Sequence, residues 1–422
     1  MNHLKCCRLL VVALVAAAWS GANSAPAEQP PPSVNALGIV GQVMERFDEY
    51  LGAKALSSFH NEELLTDSAV STLLSEEKKT ATGGKAETLL SFARAVADLH
   101  EAGDRFDQPA CEAALKKVKQ LFSAMEQLYP SDVLNAARSL ASRYCCPMHS
   151  DFAGKKADLC AKCGMPLDAQ VRLSPFVLPE GARPAPVVQA RIEMDAPLKR
   201  QEKVTGRLKL ASRTGDAILL SDLREVHTQK IHLLIVDTSL TDYHHEHPQP
   251  TAVPGEYAFS FTPTKPGPYR AWADIQPYLT GIQEYARVEI PAGTNGEALP
   301  NTIPRLTAVA DGLRYEIQFD SELKANQPAA GELHITRADG SPCRELEPTM
   351  GAFAHVVAFH QDRATVLHIH PQGSGALAPT DRGGPILRFQ FYAPKAGFYR
   401  LFSKVQLGGE QKFAPFGIRV GL

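Results

Sequence analysis

The sequence has little of what would give it a charged or membrane identity. Forty-four Lys and Arg stand against 46 Asp and Glu, a formal net charge of −2, so it offers no basic field to a nucleic-acid backbone and no acidic tail. Aromatic residues are scarce at 7%, while 31 prolines and 30 glycines favour many short strands and turns over long helices. Beyond the N-terminal segment no apolar run approaches the roughly 20 residues of a membrane span. Signatures of common catalysis are missing as well: there is no Gly-x-Ser-x-Gly elbow, no phosphate loop and no His-Glu-x-x-His helix. What is left is 422 residues, 44% hydrophobic and 21% charged, the composition of a folded chain of two to four domains.

Lys5 and Arg8 precede an apolar stretch from Leu9 to Trp19, followed by the small residues Gly21, Ala22 and Ser24. This is the pattern of a secretory signal peptide over residues 1–24, which predicts a periplasmic or secreted protein with no membrane span once the signal is removed. Residues 25–33, with Pro30-Pro31-Pro32, read as a tether. From 34 to 143 apolar residues recur at helical steps, as in Leu37, Val40, Val43, Met44, Phe47 and Leu51, and predict a bundle of four or five helices. After a linker the pattern turns to alternating strands over 187–291 and 305–422. These two stretches repeat one another. KIHLLIVD and HEHP in the first match AHVVAFH and HIHP in the second, and TKPGPYRAWADIQ matches PKAGFYRLFSKVQ. The expected fold is multidomain α + β: a helical bundle, a zinc-ribbon-like metal knuckle at 144–168, and two Ig-like antiparallel β-sandwiches.

Without the signal six cysteines remain, and four of them, Cys145, Cys146, Cys160 and Cys163, fall in one short window. Cys146 and His149 are three apart, as are Cys160 and Cys163, so two tight knuckles can present four donors to one tetrahedral ion. Met148 and Met165 flank the knuckles; thioethers suit Cu(I), which favours a soft metal. Paired disulfides or thiol redox chemistry are the alternatives in an oxidising compartment. Tyr144-Cys-Cys-Pro-Met-His149 and Cys160-Ala-Lys-Cys-Gly-Met-Pro-Leu167 resemble the heavy-metal-binding domain of bacterial copper-transporting ATPases and metal-efflux adaptors. Its pattern is Tyr-x-Cys-Pro-Met-His-Pro, then Cys-Pro-x-Cys-Gly-Met-x-Leu. Cys145, Ser150 and Ala161 depart from it, Cys145 as a competing thiol beside Cys146.

The second concentration of ligands is duplicated. His232, His245 and His247 in the first repeat correspond to His355, His368 and His370 in the second. Histidines two apart on a strand share a face, so His245 and His247 can approach one ion, as can His368 and His370. If each hairpin is symmetric, His232 faces His245 across a tip at Thr238-Ser239, and His355 faces His368 across Gln361-Asp362. Each repeat would then carry its own three-histidine site, suited to Cu(II) or Zn(II). The competing reading is a packing motif of core histidines, copied by duplication. His227 and His244 are additional donors in the first repeat; their counterparts are Met350 and Leu367. The repeats also resemble small extracytoplasmic β-sandwich domains of the FixH/YtkA-like kind, in which a His-containing strand precedes a His-x-His-Pro segment.

These readings converge on a non-enzymatic, extracytoplasmic protein that binds a copper or zinc ion, copper first, for buffering, sequestration or hand-over. A metal-efflux or metallochaperone protein is the partner such a role would call for. The rivals are an accessory of a metal-efflux system, a metal-dependent enzyme with three-histidine sites, and an interaction module whose ribbon holds structural zinc.

Overall fold

The helical periodicity resolves, in a computed structural model, into helices α1 (Pro32–Gly52), α2 (His60–Thr80), α3 (Ala86–Asp104), α4 (Gln108–Glu126) and α5 (Ser131–Ala141). The structure describes residues 30–80, 84–171, 173, 186–278, 280–291, 296–369, 372 and 378–422. The predicted signal peptide, most of the tether and of the 173–186 linker, and His370 lie outside the described residues.

Proline in the first turn of α1 gives up only an amide that has no partner there. Val40, Val43, Phe47 and Tyr50 of this helix are fully buried and form the centre of the bundle with Leu73, Leu89, Phe92, Leu99 and Val118. Asp107 caps α4 by accepting from the Ala110 amide at 3.0 Å. Among the described residues, helix α2 has only a short apolar stretch, Ala69, Val70 and Leu73, buried in the core, and it brings a buried charge as well. Its Glu62, fully buried, accepts from Arg46 Nη2 at 2.6 Å and from the Tyr50 hydroxyl at 2.7 Å.

Next comes a small three-stranded sheet, with Tyr144–Cys145 between Ala153–Gly154 and Ala169–Gln170. It ties the bundle to the rest of the chain. Arg46 donates to Gln170 at 2.9 Å, Gln170 donates to Glu45 at 2.7 Å, and the Tyr144 hydroxyl donates to Glu45.

Each repeat is β-sandwich-like, built of two four-stranded antiparallel sheets. In the first, strands Val188–Met194, Val204–Ser212, Glu256–Phe261 and Gln249–Pro250 face a sheet ordered Glu284–Ile290, Tyr269–Ile275, His232–Asp237, Tyr243–Glu246. In the second, Thr307–Ala310, Leu313–Phe319, Pro328–Arg337 and Ile386–Tyr392 face a sheet ordered Glu410–Val420, Gly397–Leu407, His355–His360, Val366–Ile369. The strands HLLIVD and HVVAFH are buried along their whole length, on both faces. Leu233 and Ile235 point into the first sandwich core, and Val356 and Ala358 into the second. Their alternates Leu234, Val236, Val357 and Phe359 join Trp272, Val366 and Phe402 in a separate apolar cluster between the two sandwiches. The repeats therefore pack back to back through equivalent sheets. Each large side chain fully buried there contributes about 1.5–3 kcal/mol.

Candidate metal centres

In the ribbon, the Cys160 carbonyl accepts from the Gly164 amide at 2.7 Å and the Cys160 amide donates to Met165 at 2.8 Å. This knuckle closes because Gly164 adopts φ +74°, a conformation that costs a Cβ-bearing residue strain. The four donors meet: Cys146 Sγ lies 3.5 Å from Cys163 Sγ and 3.8 Å from His149 Nδ1, and Cys160 Sγ lies 3.7 Å from His149 Nδ1. No cysteine among the described residues is in a disulfide. The thiols share their protons unevenly: hydrogen bonds from Cys146 and Cys163 hold Cys160 well below the ordinary thiol value, and those two are pushed up. Cys145 faces away, packed with Ala169 and Ile282, so alternation along its strand separates it from Cys146. Met148 and Met165 are half-buried and pack against the cysteine cluster. Cys111 and Cys343 are buried in the bundle and second-sandwich cores.

The ribbon touches all three larger bodies. Beyond its links to α1, Pro147 accepts from the Gln283 amide at 3.0 Å, and Ala161 accepts from Gln390 at 2.6 Å. The His149 ring stands edge-on to Tyr392 with centroids 5.1 Å apart.

His232, His245 and His247 come together within the first repeat, and His355 and His368 of the second lie against them, an adjacency that the expectation of separate sites did not include; His370 is outside the described residues. The reason is the sandwich interface: the face that carries His232 in one sheet is packed against the face that carries His355 in the other. The register also differs from expectation, by two residues in each hairpin. Leu234, not His232, pairs with His245, and Val357 pairs with His368. The tips lie at Ser239-Leu240 and Asp362-Arg363, because Leu240 and Arg363 take φ +59° and +57°, and Asp237 accepts from the amides of Ser239, Thr241 and Asp242. Even so, His232 Nδ1 lies 3.1 Å from His245 Nε2. The ligand atoms of His232, His245 and His247 all fall within 4.8 Å of one another.

Their ring centres are 5.3, 5.1 and 5.0 Å apart. An imidazole bound at about 2.1 Å has its ring centre about 3.2 Å from the ion, so three at tetrahedral angles lie about 5 Å apart. Outer partners set the tautomers. His232 Nε2 donates to the Val226 carbonyl at 2.8 Å, leaving Nδ1 as the lone pair turned toward His245. In the equivalent place His355 Nε2 donates to the Thr349 carbonyl at 2.9 Å. His368 Nδ1 donates to Asp274 at 2.8 Å, and Gln283 donates to the other oxygen of that carboxylate at 2.5 Å. Burial lowers His232 to about 4 and His247 to about 3, with neighbouring histidines adding to the effect, so both imidazoles are neutral at pH 7.

Sequence reasoning named His232, His245, His247, His355 and His368 and gave His227 as an additional donor; it missed Asp274 and Lys404. Asp274 lies across from His232, and Lys404 occupies the matching place across from His355. Lys404 is buried, and its Nζ has no hydrogen-bond partner among the described residues. Burial pulls its amine down to about 8, against the opposing pull of Glu246. The signal for both was their alignment in the repeat, ADIQ against SKVQ.

The chain belongs to the family described as "Domain of unknown function (DUF8832)", whose profile matches it twice, over residues 186–292 and 307–421. No curated protein matches it significantly. Among solved structures, trypsin-activated alpha-2-macroglobulin from Escherichia coli shares 10% identity and a TM-score of 0.18, covering 56% of this chain but only 16% of that one. MtrC from Shewanella baltica OS185 shares 8% identity and a TM-score of 0.16, over 54% of this chain and 68% of that one. Likenesses this weak carry no argument about function.

Proposed function

We propose that this protein binds d-block metal ions outside the cytoplasm, copper first and zinc second, and buffers, sequesters or hands them over without a covalent step. The observation that carries the reading is the convergence of His232, His245 and His247, buried or half-buried, with His232 held in one tautomer by a backbone carbonyl. Neutral imidazoles in that arrangement suit Cu(II) or Zn(II). The partner it would exchange ions with is a metal-efflux or metallochaperone protein.

The ribbon supports a second, distinct reading. Four donors close a tetrahedron and leave no open position, which is how structural zinc is held. Its bonds to the bundle and to both sandwiches favour a clip that fixes their arrangement. Met148 and Met165 then serve as its apolar walls. The strand order of each repeat, with Tyr269 and Tyr399 bonded back to the carbonyls of Lys265 and Lys395, supports reading each as an Ig-like sandwich.

The test is elemental analysis of protein loaded with copper and zinc and then dialysed. His245→Ala should lose copper while the ribbon keeps one zinc per chain. Unchanged copper in that variant sinks the histidine reading, and unchanged zinc in Cys160→Ser/Cys163→Ser sinks the ribbon reading.

A further inference from the structure

His227 sits outside the three-histidine set, yet its ring lies against the second repeat. Its centre is 5.0 Å from that of His355 and 5.6 Å from that of His368, and the last two are 5.7 Å apart. This triangle is slightly wider than the first, and its ligand atoms do not all lie within 4.8 Å of one another as those of the first do, so an ion held by the three imidazoles would draw the rings inward. We propose that His227 of the first repeat, with His355 and His368 of the second, forms a second position for an imidazole-preferring divalent ion, completed only across the sandwich interface. The inference rests on reading the first triangle as a metal centre.

Three further observations support it. The outer partners follow the same logic as in the first set. Thr349 holds His355 through Nε2, and the Nδ1 of that buried ring has no hydrogen-bond partner among the described residues. Asp274, from the other repeat, holds His368 through Nδ1 and so assigns coordination to Nε2. Next, the backbone is bent to place His227. Val226 and Gln229 pair around His227 and Thr228 at φ +50° and +64°, the turn that Asn-Gly makes without strain. A β-branched residue is strained there, and a histidine is uncommon. Finally, the matching turn of the second repeat carries Met350 and Gly351 at φ +50° and +76°. The two repeats thus share a turn, but only the first places an imidazole at its tip.

The two triangles adjoin. His232 is 5.5 Å from His368 and 6.3 Å from His227, centre to centre, so ions in both would lie close enough for magnetic coupling. The first ion would be held by one hairpin of the first repeat and the second by residues of both repeats, so the second would be lost if the sandwiches separated.

The experiment uses the full chain, its ribbon first filled with one equivalent of Zn(II), titrated with Cu(II) and followed by elemental analysis and electron paramagnetic resonance. Two imidazole-bound Cu(II) per chain, with a signal broadened by their coupling, are expected. His227→Asn, chosen because asparagine tolerates the φ of the turn, should hold one ion with the sharp signal of an isolated centre. One sharp Cu(II) in the wild type overturns the second position and leaves the first intact. Two in His227→Asn overturn the role of His227. No imidazole-bound Cu(II) in the wild type overturns this inference together with the reading it rests on. The wild-type count decides the matter even if the variant folds poorly.

Discussion

His368 and Asp274, 94 residues apart and in different repeats, share a hydrogen bond of 2.8 Å in a place where neither is reached by solvent. The carboxylate fixes the ring orientation and makes its far nitrogen a better donor to a metal. It does so from the opposite sandwich, so the geometry of one repeat is set by the other.

Asp274→Asn should therefore keep the fold while weakening Cu(II) binding at the histidine group about 10–100-fold. A competition titration against a chelator measures it. Unaltered affinity would show that the carboxylate does not act on the metal.

Gly164→Ala should loosen the ribbon. Its φ of +74° strains an alanine by about 1–2 kcal/mol, and the new Cβ would come within 3.2 Å of Gln372 Nε2. The expected result is roughly tenfold easier removal of zinc by a chelator, each factor of ten being about 1.4 kcal/mol.

Arg46→Ala leaves the fully buried Glu62 carboxylate without its ion-pair partner. Removing one member of such a pair costs about 3–5 kcal/mol. Urea unfolding followed by circular dichroism should show the helical transition moving to lower denaturant by that amount, whereas Arg138→Ala, at the exposed Arg138–Glu126 pair, should move it by less than about 1 kcal/mol.

Asp242 gives the pH dependence. Burial raises its carboxyl, but hydrogen bonds from His244, the Tyr269 hydroxyl and the Thr264 amide outweigh that and hold it at about 2, below the ordinary 3.8. A depressed carboxylate stabilises the fold fully above the unfolded value and loses that contribution as pH falls through its folded value. The first sandwich should thus lose stability between about pH 4 and 2, and Asp242→Asn should flatten that part of the profile. Acid unfolding followed by near-ultraviolet circular dichroism at Trp272 checks it.

Local order was legible in the sequence, and long-range order was not. Spacing alone brought together Cys146, His149, Cys160 and Cys163, because a knuckle is closed by residues three apart. The bundle followed from periodicity, least clearly in α2, whose buried apolar residues Ala69, Val70 and Leu73 are few and are joined by the buried charge of Glu62. The hairpin register was two residues off because Leu240, Arg363 and the Asp237 carboxylate set the turns, and thirteen-residue spacing says nothing of these. The packing of the two histidine sets against one another had a signal that periodicity hides. HLLIVD and HVVAFH are nearly continuous apolar runs, the mark of strands covered on both faces. One face needed the sandwich core; the other needed a partner, and the partner was the second copy.

Asp274 and Lys404 occupy the same place in the two copies and face the same cluster. Two first copies docked in this way would bring two carboxylates to the histidines, and two second copies would bring two buried ammonium groups. Only the mixed pairing carries one of each sign. The two halves are therefore complementary in charge rather than interchangeable, and the peptide link between them keeps each beside the copy of opposite sign.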